Sequence, residues 1–378
     1  MKKLAFVVVA IAFLFALIPQ VAFADVQEDL QNEIENGMNN LDFSQMEQVA
    51  SPFFENFSQK VQQIINGEFD SAQSFWQLLC QLFNSGVAEI FPQLVTVFCV
   101  IVICSLVRKT SDGFISDETS NVVSFVGVSV ITVTVLSLVV KAYGEVAQML
   151  AQTAVLTDAA MPILLTLVVA NGGNASSAVC QPTMVMFSSV IINVVKNVLL
   201  PLSVFAMAFV VVSNVSSNVR VEKASAFLCN ASSWMLGILF TLYSAFTSVQ
   251  GITASAMDGV SFRAAKFAAK NYIPILGGYI SDGFDVVVAS TSLIKNSFGA
   301  VSMLLMFFVA IKPLVTLVCV NLGLQAVCAL GEPLAEGKYI KILGGLGKCL
   351  TFLSALVFAV AFMFCILTFI AISCANFV

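Results

Sequence analysis

The sequence predicts an all-α, polytopic integral membrane protein with about six spanning helices plus broken or re-entrant hairpins. Three observations carry this. Apolar residues make up 59% of the 378 and charged residues 10%, against roughly 25% charged in a soluble domain, and the mean hydropathy is +0.96. Apolar stretches of spanning length are bounded by clusters of Lys and Arg. Finally, glycine, proline and charge recur inside apolar stretches, where a plain spanning helix has no use for them. The net charge of −5 says little, because the charge is so unevenly spread.

The chain opens with Lys2 and Lys3 before an apolar run from Leu4 to Ile18, then Val21-Ala22-Phe23-Ala24. This reads as a signal peptide over 1–24 with cleavage before Asp25, which puts the mature N-terminus outside the cytoplasm. An uncleaved first span is the competing reading.

Residues 25–86 are acidic, with ten Asp or Glu against the single Lys60, a composition that crosses a membrane without offending the positive-inside bias. Met46, Val49, Phe53, Phe57, Val61, Ile64 and Ile65 recur at helical spacing. The segment therefore predicts two or three amphipathic helices whose apolar faces pack on each other or on a partner. Ser44 and Glu47 fit a capping box.

The polytopic domain occupies 87–378. Its first span, from about Val87 to Val107, ends at Arg108 and Lys109, which marks the cytoplasmic side. Residues 121–140 return outward. Lys141, Glu145, Gln148 and Gln152 then form one polar stripe, as on a helix lying at the interface.

Met161-Pro162-Ile163-Leu164 is echoed by Ile273-Pro274-Ile275-Leu276, and Pro201-Leu202 by Pro313-Leu314, both at an offset of 112. The echoes fit two related repeats of about 110 residues, although Pro-Ile-Leu is a low-information match in so apolar a chain. On this reading each unit carries a re-entrant hairpin. One covers 160–195, broken at Pro162 and tipped by Gly172 and Gly173; the other covers 272–296, broken at Pro274, Gly277 and Gly278. Short segments broken at matching positions are the sequence mark of a translocation site. One basic helix resists the scheme: Arg263, Lys266 and Lys270, at i, i+3 and i+7, fall outside the cytoplasm unless the hairpins are misplaced.

Charge at membrane depth costs about 2.5 to 3.5 kcal/mol per residue on insertion scales and marks a candidate functional site. Lys196 and Lys295, flanked by Asn193 and Asn296, are the candidate lining of a polar path, with Asp282 and Asp285 as partners. Snorkelling to an interface is the alternative, and the better one for Lys312 beside Pro313.

Enzyme chemistry finds little support. The chain has no histidine, which removes the usual general base, the usual zinc ligand and every Ser-His arrangement. Gly344-Gly345-Leu346-Gly347-Lys348 departs from a phosphate loop, with Ile342 in place of its first glycine and Cys349 in place of Ser or Thr. Ser292 and Lys295 give a lone Ser-x-x-Lys. The ten cysteines include no Cys-x-x-Cys pair, so no metal and no cofactor is expected.

The run Gln250-Gly-Ile-Thr-Ala-Ser-Ala256, Asp258-Gly259, Arg263-Ala-Ala-Lys266-Phe267-Ala268 and Ile273-Pro-Ile-Leu-Gly-Gly278, followed by Ser281, Asp282 and Asp285, resembles the stage III sporulation protein AE family. The layout of signal peptide, acidic exported segment and polytopic domain resembles it as well. The resemblance implies a membrane subunit of the channel-like complex between mother cell and forespore, needed for forespore activity and for late forespore transcription during endospore formation. It implies residence in the mother-cell membrane that surrounds the forespore. The partners it implies are the other stage III proteins of the same operon, among them a secretion-type ATPase and ring-forming proteins, a forespore membrane protein across the gap, and a YidC-type insertase. It carries over no catalytic residue. Two function classes stay open: a conduit lined by the broken hairpins, and a non-conducting scaffold that anchors the other subunits.

Overall fold

In the computed structural model, the structure describes Ile34, 37–38, 41–53, 56–66, 71–114, 117–215, 222–272, 277–333 and 337–374. No strand occurs among these residues. Two short helices, α1 (Ser44–Ala50) and α2 (Phe57–Ile65), precede α3 (Ser71–Phe114) and α4 (Asp117–Ala170). Then come α5 (Asn174–Val194), a π-helical turn (Val195–Leu199), α6 (Leu200–Val215), α7 (Glu222–Tyr272), α8 (Gly277–Gly331) and α9 (Gly337–Ser373).

The long helices pair as three hairpins: α3 with α4, α5–α6 with α7, and α8 with α9. Six of the helical segments are long and apolar enough to cross a membrane, so the chain is a multi-pass membrane protein. The helix ends flanking the three connections at 115–116, 216–221 and 332–336 lie together: a Cβ at Gly127 of α4 would meet Cys104 of α3 and Tyr339 of α9, and one at Gly345 of α9 would meet Val210 of α6. Basic residues flank all three: Arg108 and Lys109, Arg220 and Lys223, and Lys338, Lys341 and Lys348.

α8 is the axis of the bundle. It packs against α3, α4, α7 and α9, and 78% of its apolar window is buried. Small residues set how close its neighbours come. A Cβ at Gly299 would collide with Ile372 of α9, and one at Gly323 with Leu94 of α3. Without a hydrophobic drive between helices in lipid, such close approach supplies the dispersion contacts that hold them together.

Pro92, Pro162 and Pro313 are absorbed into long helices rather than used as breaks. α4 runs on through Pro162, and the chain turns at Asn171–Gly173, where Gly172 takes φ 88°, a left-handed conformation open to glycine. The expected hairpin over 160–195 thus has its tip at Gly172 and Gly173, but its arms are the ends of two long helices. Pro201 lacks the N–H that Asn197 would bond, and the ladder widens into the π-helical turn just before it. Pro92 and Pro313 sit inside α3 and α8. Pro274 lies outside the described residues, and Gly277 and Gly278 begin α8. The stripe from Lys141 to Gln152 is the middle of α4, not a separate interfacial helix.

The acidic N-terminal segment docks on this same chain. Met46, Val49, Phe57, Val61, Ile64 and Ile65 are buried. Phe43 and Phe57 meet Phe298 at ring-centroid distances of 5.9 and 5.6 Å, and Phe53 stacks on Phe308 at 5.9 Å. Ser44 is the first helical residue rather than the cap. Asp42 instead accepts its backbone N–H at 3.0 Å, and hydrogen bonds from the Ser44 side chain and backbone hold the Asp42 carboxyl below the usual range. α3 continues unbroken from Ser71 to Phe114, so the change from polar to apolar near residue 86 falls inside one helix.

Candidate functional site

Three places bear on the predicted polar path. The first is the end of the bundle away from the basic bends, where α8, α9 and the 171–173 turn meet. Lys295, wholly buried, donates from Nζ to the carbonyl of Cys374 at 2.6 Å, one residue past the end of α9. The last carbonyls of a helix have no intrahelical donor and carry the negative end of its dipole. Lys295 therefore meets both needs of a C-terminus, a hydrogen bond and a positive charge. One turn earlier on α8, Ser292 accepts a hydrogen bond from Asn171 Nδ2 at 3.0 Å, which ties the turn to the same helix. Asn171 Oδ1, Asn296 Oδ1 and Ser297 Oγ are buried there without a hydrogen-bond partner.

The second place is the middle of the bundle. Tyr243 is 2% exposed and donates its hydroxyl to the carbonyl of Met363 at 3.1 Å, with Ser188 Oγ at 3.4 Å. Thr153 and Thr157 face it from α4, each bonded to a carbonyl one turn back. These four side chains and apolar neighbours line a cavity of about 20 Å³, room for about one water. A second cavity, between α8 and α9, measures about 10 Å³ and is lined by Phe307, Leu314, Phe358 and other apolar residues. Neither has the width of a solute path.

The third place is the surface of the α5–α6 rod, where Asn193, Lys196 and Asn197 are exposed on and beside the π-helical turn. The predicted lining residues are therefore not brought together: Lys295 closes a helix end, Asn296 is partly buried, and Asn193 and Lys196 face outward. The side chains of Asp282, Asp285, Arg263, Lys266 and Lys270 lie outside the described residues. Among the described residues, no group of three or more His, Cys, Asp or Glu is placed to hold a metal ion.

Sequence reasoning passed over the Tyr243 cluster. A tyrosine in mid-span needs a partner for its hydroxyl, and that was the available signal. It also passed over Cys229 and Cys349, whose sulfurs stand 3.1 Å apart between α7 and α9 although 120 positions separate them.

Six long apolar helices around a closed core, with an amphipathic N-terminal pair docked on the central one, define a polytopic membrane protein built to be packed rather than hollow. A sequence profile of the Stage III sporulation protein AE family matches residues 55–375, and the chain belongs to that family of sporulation proteins. It is similar to Stage III sporulation protein AE of Bacillus subtilis (strain 168), with 24% identity over 316 residues, 83% of this chain and 79% of that protein. No solved structure matches the chain.

Proposed function

We propose that this chain is a membrane-embedded subunit of the channel-like complex between mother cell and forespore, and that it works there as a non-conducting scaffold. Its seat is the mother-cell membrane around the forespore, with the mature N-terminus outside the cytoplasm. Its partners are the other stage III proteins of the operon, including the secretion-type ATPase and the ring-forming proteins. A forespore membrane protein across the gap and a YidC-type insertase complete the set. Family membership supports the place in sporulation.

The closed core supports the scaffold role over the conduit. The polar residues at its centre surround about 20 Å³, and of the two lysines expected to line a path Lys295 is wholly buried and Lys196 is exposed. Any passage then runs between this chain and its neighbours in the assembly.

Two arms test this in a sporulating strain. Deleting the chain is expected to abolish late forespore transcription; normal transcription would remove the sporulation role. Thr153→Val, Thr157→Val and Ser188→Ala together strip the central cluster of every hydroxyl but that of Tyr243. The scaffold reading expects normal spore yield from that variant. Loss of spores at normal protein level would instead put the passage through the bundle.

A further inference from the structure

The helices are too long for the membrane they cross. The apolar windows of α4 and α8 are each 46 residues, about 69 Å at 1.5 Å per residue, more than twice a hydrocarbon core of roughly 30 Å. Lipid can cover no more than half of each, and the charges say which half. Counting from the basic bends, the first charge inside the bundle is Glu89 on α3, Lys141 on α4, Lys196 on the α5–α6 rod and Lys312 on α8. From these residues toward the bends the charge-free runs are 90–107, 119–140, 197–215 and 313–331, or 18, 22, 19 and 19 residues; α7 has no charge from 224 to 257, and α9 carries the exposed Lys348 in its bend-side half. Each of the four runs spans about 27 to 33 Å. The contacts between helices set these charges against one another: Thr153 of α4 lies beside Met306 of α8, and Leu94 of α3 faces Gly323 of α8, so Glu89 and Lys141 stand about 9 Å nearer the bends than Lys312, and the charges mark a band rather than a plane.

The exposed faces change character across that band. On α4, below Lys141, the exposed residues are Val122, Phe125, Val126, Val130, Val133, Leu136, Ser137 and Val140. Above it they are Gly144, Gln148, Ala151, Val155, Asp158, Pro162, Thr166, Val169 and Ala170. A face of large apolar side chains gives way, on one continuous helix, to one that is mostly small and polar, with Val155 and Val169 as its large apolar members.

The docked N-terminal pair gives an independent mark. It sits on Phe298 and Phe308, beyond Lys312, and its outward face is Asp42, Gln45, Glu47, Gln48, Gln59, Gln62 and Asn66. Hydrocarbon cannot solvate such a face. Among the described residues, the large apolar side chains exposed beyond the charges are fewer than on the bend side: Val87, Val155 and Val169, Met186 and Val190, Val249, Ile252 and Phe267, Val286 and Val287, and Phe369.

We infer that the bilayer encloses only the bend-side half of the bundle, its outer headgroup layer taking in the band of Glu89, Lys141, Lys196 and Lys312. The far half stands outside the cytoplasm as a water-exposed pedestal jacketed by α1 and α2. Residues 142–170 of α4 and 277–311 of α8 then project about 44 and 53 Å past Lys141 and Lys312. The lysines are headgroup contacts of the outer leaflet, placed where an ammonium on an apolar stem costs least. The inference does not rest on any role in sporulation, and it requires only that the bends be cytoplasmic, as their basic residues indicate.

The test is single-cysteine labelling of the full chain, in intact cells, with a membrane-impermeant maleimide, on a background whose native cysteines are replaced. Gln148→Cys, Asp158→Cys and Gln59→Cys are expected to label from outside. Val133→Cys and Phe205→Cys should not label even in opened membranes, and Lys223→Cys should label only there. Protection of both Gln148→Cys and Asp158→Cys in intact and opened membranes would put that half of α4 in lipid and overturn the inference.

A measurement that keeps all ten cysteines covers the case in which the cysteine-free chain fails to fold. With Trp76→Phe, the 75%-exposed Trp234 is the one tryptophan left. Chain-brominated lipids should quench it strongly and should leave a tryptophan moved to position 148 unquenched. Equal quenching at both positions would sink the proposal.

Discussion

Replacing Lys295 separates a helix cap from a path-lining charge. Its Nζ lies 2.6 Å from the carbonyl of Cys374 and its side chain is wholly buried, so two costs follow removal. Lys295→Met keeps most of the stem and loses the hydrogen bond, which leaves a buried carbonyl without this donor, at about 1 to 3 kcal/mol. The acceptor at Cys374 is a neutral carbonyl, so loss of this bond strands no charge there. Lys295→Ala also empties the stem's volume, and comparable truncations in cores cost about 2 to 5 kcal/mol more. Against a total of roughly 5 to 15 kcal/mol for a folded protein, the methionine variant should fold and the alanine variant should be crippled.

The assay is melting in detergent together with protein level and spore yield in the sporulating cell. Lys295→Met is expected to melt several degrees low and still support sporulation. Lys295→Ala should lose abundance first and spores in consequence. If Lys295→Ala melted and accumulated normally while spores were lost, the ammonium would be acting on a partner or a moving solute, and the capping argument would be wrong.

Three further outcomes follow from the packing. Gly299→Val forces a side chain into Ile372 and should cost about 1 to 3 kcal/mol. Gly144→Ala and Gly237→Ala, where nothing lies within 4 Å, should be neutral or stabilising by up to about 1 kcal/mol; melting of the three variants side by side checks the ordering. Cys229 and Cys349, at 3.1 Å, should close to a disulfide under a mild thiol oxidant. Mass spectrometry of the digested chain should find the linked peptide, and its absence under conditions that link exposed control pairs would contradict the α7–α9 contact. Phe298→Ala removes the ring that Phe43 and Phe57 pack on, a loss of about 3 to 5 kcal/mol. It should free α1 and α2 enough for trypsin to cut after Lys60, and unchanged protection of that bond would count against the docking.

The helical class, the membrane habit and the basic bends were legible in the sequence because composition and charge asymmetry state them directly. The buried faces of α1 and α2 were legible too, since Met46, Val49, Phe57 and Val61 keep a strict helical period. Helix continuity was not. Pro162 and the Lys141-to-Gln152 stripe read as breaks when each is judged by its local rule, yet α4 passes through both. Proline's missing hydrogen bond can be re-satisfied by local π adjustment or by a neighbouring side chain inside a packed bundle, and the local sequence does not report the neighbours. The role of Lys295 was hidden for the same reason, because its partner carbonyl is 79 positions away.

The misplaced hairpins and the excess helix length have one cause. A hydropathy window asks whether a segment avoids water, and both lipid and a protein core answer yes. In α8, 78% of the apolar window is sequestered by the other helices, so its hydropathy reports burial in protein for most of its length. The α7 window, with 17% buried, presents Phe227, Trp234, Ile238 and Leu242 outward and reports lipid instead. Charge separates the two cases where hydropathy cannot. A lysine at the edge of a protein core can still reach water or a helix end, as Lys295 reaches Cys374, whereas one in mid-bilayer reaches neither. The band in which Lys141, Lys196 and Lys312 end the charge-free runs of separate helices therefore marks the membrane's edge better than the length of any apolar run. It also leaves the pedestal's surface as the place where partners in the intermembrane space would meet this chain.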